Sequence, residues 1–100
     1  HESGDAKLFY SELSEIVRQY IEDRFKITAL ENTTQEVLQA AKRTPLLKKH
    51  RDPIKLILRK ADLVKFAKAD AHLVEMQEAV VAARSFVNHT YRKEEEHVNE

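Results

Sequence analysis

The chain has 100 residues, 42% hydrophobic and 34% charged, and a chain of this length forms one domain that buries roughly 65% of its unfolded surface, leaving little room for a deep active site. Lys plus Arg and Asp plus Glu both count 17, so no overall charge draws it onto nucleic acid or a membrane. The single glycine, Gly4, excludes the dinucleotide fingerprint, the phosphate-binding loop and the nucleophile elbow, and the absence of cysteine excludes disulfides, thiol nucleophiles and Cys-type zinc or iron–sulfur sites.

Residues 1–4 read as an N-terminal extension or cloning remnant, with neither the basic start nor the apolar core of a signal peptide. Asp5 is an expected N-cap for a first helix reaching about Phe25. Its apolar stripe is Phe9, Leu13, Ile16, Val17, Tyr20 and Ile21, with Ser11, Glu15, Arg18 and Glu22 opposite. Glu22 and Lys26 are spaced as a helical ion pair. A connector follows, with Ile27 and Leu30 expected to plug the core. Thr33-Thr34-Gln35-Glu36 is a capping box for a short second helix burying Val37, Leu38 and Ala41.

Thr44-Pro45 ends that helix, because proline disfavours helical backbone at the residue before it. Leu46–Arg51 reads as a basic loop with two leucines tucked inward. Asp52-Pro53 restarts a helix as N-cap and first position, and Ile54, Ile57, Leu58 and Ala61 share its inner face. Leu63, Phe66 and Ala67 fall on the opposite side of the wheel. One helix to about Lys68, with an irregularity near Asp62, is therefore expected, and the surplus apolar residues imply burial between two layers or a partner surface. Asp70 caps a last helix whose seam is Leu73, Met76, Val80, Ala83 and Val87, widened by Ala79 and Phe86. The predicted fold class is all-α, a compact bundle of about four helices over residues 5–91, with 92–100 a polar, disordered tail.

Charge is balanced in total but not in place: residues 1–41 carry −4, residues 42–68 carry +8 and residues 69–100 carry −4. The basic middle offers Lys48, Lys49, Arg51, Lys55 and Arg59 to phosphates, but no aromatic is interleaved for base stacking. Nucleic acid is thus the alternative partner, and a solvated charged surface or contact with anionic lipid is the better account. His1, His50, His72, His89 and His97 show no metal-binding spacing, and His72 and His89 should be exposed. Glu12/Glu15, Glu22/Asp23 and Glu94–Glu96 read as solvated charge, and no serine sits in a nucleophile motif. No catalytic, cofactor or metal residue is expected, and no small-molecule substrate.

Three phrases carry a family resemblance: Tyr10-x-x-Leu13-x-x-Ile16-x-x-Tyr20-Ile21-x-x-Arg24-Phe25, Ala29-Leu30-Glu31-x-Thr33-Thr34-x-Glu36-x-Leu38, and Ala61-Asp62-Leu63-Val64-Lys65-Phe66-Ala67-Lys68-Ala69. Over about residues 8–90 the chain resembles the C-terminal helical region of bacterial BatD-like, oxygen-tolerance (aerotolerance) membrane proteins. The resemblance implies a soluble domain at the cytoplasmic face of the inner membrane, following a membrane anchor, with a MoxR-type AAA+ ATPase or a von Willebrand factor A-type protein as partner. It supplies no catalytic residues. The expected function is a non-enzymatic protein-interaction module, with Lys48, Lys49, Arg51, Lys55, Arg59, Leu63 and Phe66 as its contact surface toward a partner or anionic lipid.

Overall fold

A computed structural model describes the backbone of residues 2–67 and 69–99 and the side chains of residues 5–67 and 69–91. Five helices and no strand occur among them: α1 (Glu2–Phe25), α2 (Thr34–Lys42), α3 (Pro45–Lys48), α4 (Arg51–Phe66) and α5 (Leu73–Asn99). The all-α class follows, with α3 a single turn where a basic loop was expected. Proline closes α2 and opens α3 in one step: extended Thr44 precedes Pro45 at the first helical position. Leu47 is buried and Leu46 half-buried, so both leucines do turn inward.

Local signals place most helix ends, with shifts of a few residues. The Thr33 box is formed in both directions: the Glu36 N–H donates to Thr33 Oγ1 at 3.2 Å, and the Thr33 N–H donates to Glu36 Oε1 at 2.9 Å. Asp5 lies within α1 and is not its cap. The next start moves from Asp52 to Arg51, leaving Asp52 in the first turn and Pro53 where no intrahelical N–H is needed. α5 begins at Leu73, not at Asp70, because Glu75 Oε1 accepts the His72 N–H at 3.0 Å and makes His72 the cap. α4 continues through Asp62 without a break and ends at Phe66. Lys68, and the side chains of residues 1–4 and 92–100, lie outside the described residues.

α1, α4 and α5 pack together, while α2 covers one flank of α4 and α3 packs on α2. Tyr10 lies beside Ala79 and Tyr20 beside Thr90, so α1 and α5 run in the same direction. α4 runs against both, since His50 meets Phe86 while Lys60 meets Glu75. The core holds Tyr10, Val17, Ile21, Leu38, Leu47, Ile54, Ile57, Leu58 and Phe86, all buried. Tyr20 stands edge-on to Phe86 with ring centroids 5.5 Å apart. Its hydroxyl donates to Thr90 Oγ1 at 2.5 Å, because the Thr90 hydrogen goes to the Phe86 carbonyl at 3.0 Å.

Two expected stripes are rotated. α1 buries Ala6, Tyr10, Leu13, Val17 and Ile21, a face turned by about 40° from the predicted one, and Ile16 is 62% exposed. Tyr10 is buried beside Leu56 and Lys60 of α4 and Ala79 of α5. α5 buries Ala79, Ala83, Phe86 and Thr90, with Met76 and Val87 partly covered and Leu73 exposed. In the connector, Ala29 is the fully buried plug, whereas Ile27 is half-buried and Leu30 exposed.

Lys26 closes α1 with φ of 61°, and its N–H donates to the Glu22 carbonyl at 3.0 Å. This is a left-handed helix stop occupied by a residue with a side chain. Lys26 has therefore left the helix, so the expected Glu22–Lys26 spacing does not apply, and Glu22 Oε1 accepts the Leu30 N–H at 3.1 Å. Lys26→Gly should raise unfolding free energy by about 1 kcal/mol in urea denaturation, since glycine carries no left-handed penalty.

Burial pushes the Tyr10 phenol above its ordinary 10.0, and the charges of Glu75 and Glu78 push the same way. A raised folded-state pKa means that this contribution is complete below pH 10 and is lost as pH rises past it. The urea midpoint of the wild type should therefore fall relative to Tyr10→Phe above pH 10, while at neutral pH their difference stays constant.

Candidate functional site

α4 buries Ile54, Ile57, Leu58, Ala61 and Val64 on its inner face. Lys55, Arg59, Leu63 and Phe66 follow one another at steps of four, four and three, so they form one outward stripe. Leu63 is 50% exposed and Phe66 is 78% exposed. The surplus apolar residues are therefore neither a helix break nor a second buried layer.

The lower half of this stripe borders an open groove of about 850 Å³. One wall is α1, through Ser11, Ser14, Glu15 and Arg18; the other is α4, through Arg59, Leu63, Lys65 and Phe66. The connector and the start of α2 close one end, with Leu30 and Thr34 among the lining residues.

The floor is a polar knot centred on Arg18. Its Nη1 donates to the carbonyls of Ala29 at 2.8 Å and Asn32 at 2.5 Å, its Nη2 to Thr34 Oγ1 at 3.1 Å, and its Nε to Ser14 Oγ at 3.3 Å. Thr34 Oγ1 in turn donates to Asp62 Oδ2 at 2.7 Å. Burial lowers the Arg18 pKa from its ordinary value, and the Asp62 charge works against that shift. Arg18 stays a cation at neutral pH. The expected polar face of α1 is thus partly covered: Ser11, Arg18 and Glu22 are half-buried and Ser14 is buried.

Among the described lining residues there is no histidine, and the Ser14 and Thr34 oxygens are engaged by Arg18 and Asp62. Arg59 Nη2 donates to Gln35 Oε1 at 3.0 Å, and Lys65 Nζ stands 5.4 Å from the centroid of the Phe66 ring. Both cations are exposed at the mouth.

The predicted contact residues separate in space. Arg59, Leu63 and Phe66 meet at the groove, and Lys55 lies one turn earlier on the same stripe. Lys48 and Lys49 are exposed on and just after α3, outside the groove lining. Arg51 is half-buried, and its Nε donates to the Leu38 carbonyl at 3.2 Å, tying α4 to α2.

Two features escape sequence reasoning. Arg18 carries the floor, yet its helical position reads as solvated. His50 and His89 lie far apart in the chain but have ring centroids 5.8 Å apart. His89 Nδ1 is 2.6 Å from the Ser85 carbonyl, which places the hydrogen on Nδ1. No group of three or more metal-binding side chains occurs among the described residues, and His72 and His89 are exposed as expected. No described helix is long and apolar enough to cross a membrane. Comparison with protein-family models, curated proteins and solved structures finds no match to the chain.

Removing the Arg18 guanidinium strands two connector carbonyls and the Thr34–Asp62 pair. Arg18→Met should cost about 2 kcal/mol of stability, with Arg18→Lys intermediate because an ammonium cannot span all four acceptors. Urea unfolding of the two variants measures this.

Proposed function

We propose that the chain is a non-enzymatic protein-interaction module that docks a partner at the α1–α4 groove. The observation that carries this reading is the exposure of Leu63 and Phe66 together at the mouth of a concave site, on a helix whose core face is complete without them. Exposed Val74 and Val81 provide a contrast. They flank a hollow of about 440 Å³ lined by α5 alone, which offers no second wall.

The resemblance to BatD-like proteins directs the choice of partner. In that reading the domain sits at the cytoplasmic face of a bacterial inner membrane as part of an anchored protein. It engages a MoxR-type ATPase or a von Willebrand factor A-type protein, and exposed Lys48, Lys49 and Lys55 face the anionic leaflet. The groove and the basic end of α4 would then serve different contacts.

Immobilised wild type, Leu63→Ser/Phe66→Ser and Val81→Ser can be compared for retention of each purified partner. Large apolar anchors dominate interface energy, so the double variant should lose at least about tenfold in affinity while Val81→Ser binds as wild type does. The same affinity in all three, or no retention by wild type of either protein, overturns the reading in its respective part: the docking face or the partner. All three substitutions are at exposed positions and should leave stability within about 0.5 kcal/mol of wild type.

A further inference from the structure

The charge of the groove is divided between its walls. On the α1 side the exposed lining charge is Glu15; on the α4 side the exposed lining charges are Arg59 and Lys65. Arg18 and Asp62 lie between them, linked through Thr34, so the floor carries one charge of each sign. The apolar lining is Leu30, Leu63, Phe66 and Ala67. A matching surface therefore has large apolar groups along its middle and carboxylates on the flank that meets α4.

We infer that the occupant of the groove is an amphipathic helical segment of a partner protein, apolar at i, i+3 and i+4 spacing and acidic along the side facing Arg59 and Lys65. This rests on the docking role proposed above and adds the chemistry and orientation of the partner. The length follows from α4: Arg59 to Phe66 spans about two helical turns, so about two turns of a partner helix are seated. A helix fits because both long walls are helices, and no described strand offers an edge for an extended peptide to join. Glu15 orients the guest, since an acidic flank turned toward α1 would meet a like charge.

The wall charges are exposed and screened, so each tunes affinity by a modest factor, whereas the apolar anchors supply most of it. Arg59→Glu/Lys65→Glu should weaken binding of an acidic amphipathic helix by about tenfold, and Glu15→Lys should tighten it by about threefold. A gain from Glu15→Lys is informative because general damage to the fold does not improve binding. Both effects should shrink as salt is raised.

Random peptides of about 16 residues, displayed on phage and selected against the immobilised chain, supply the probe, and enriched sequences are then synthesised and measured in solution. The expected result is enrichment of sequences with Leu, Phe or Met at helical spacing and Glu or Asp on one flank. Their affinity should fall for Phe66→Ser and for Arg59→Glu/Lys65→Glu and rise for Glu15→Lys. Basic or charge-indifferent peptides that still require Phe66 would overturn the acidic-helix inference while leaving the docking face in place. Peptides indifferent to Phe66→Ser would overturn the docking face as well. Displacement of the peptides by phosphatidylglycerol vesicles, but not by phosphatidylcholine vesicles, would assign the groove to lipid and overturn the inference.

Discussion

Arg18 is the point at which three parts of the chain are joined. Its guanidinium satisfies two carbonyls of the connector between α1 and α2, and it reaches the side chain of Thr34 at the start of α2. Thr34 passes the link to Asp62 on α4. A connector carbonyl turned away from water needs a donor, and a planar cation with several N–H groups can serve several at once. The connector is therefore folded back against α1 and not splayed into solvent, and Leu30 is brought to the end of the groove. The knot closes the end of a groove whose long walls are α1 and α4.

α4 has the opposite character, since its role is set by what it buries. It packs against α1, α2 and α5, and one face of five apolar residues is enough for that task. Leu63 and Phe66 are left over, and their spacing from Arg59 and Lys55 keeps them on the same stripe. The basic-to-apolar order along α4 thus arises from ordinary helical geometry acting on residues the core does not use. The α1 wall adds a carboxylate opposite the α4 cations, and the groove acquires a sense of direction.

Part of this site is legible from the amino acids alone. The Asp62–Lys68 stretch holds more apolar residues than one helix face requires, which marks Leu63 and Phe66 as surplus to the core. The basic segment is a weaker guide. Lys48, Lys49, Arg51, Lys55 and Arg59 are close in sequence, yet Arg51 is committed to the Leu38 carbonyl, Arg59 leans on Gln35, and Lys48 and Lys49 stand outside the groove lining. Nearness along the chain says little about which charges share a surface, because each helical step of one residue turns the side chain by about 100°.

The amino-acid sequence by itself determined the all-α class, the Thr33 capping box, the end of α2 at Thr44-Pro45 and the inner face of α4. Each of these depends on residues within four positions of one another, where backbone hydrogen bonds and side-chain caps act locally. Only the tertiary structure decided the rotation of α1 that buries Tyr10 and exposes Ile16, the burial of Arg18, the left-handed turn at Lys26 and the meeting of His50 with His89. Which apolar residue is covered, and which polar one finds a partner, depends on the shape of neighbouring helices that arrive from elsewhere in the chain. That information is a property of packing and is carried by no single stretch of residues.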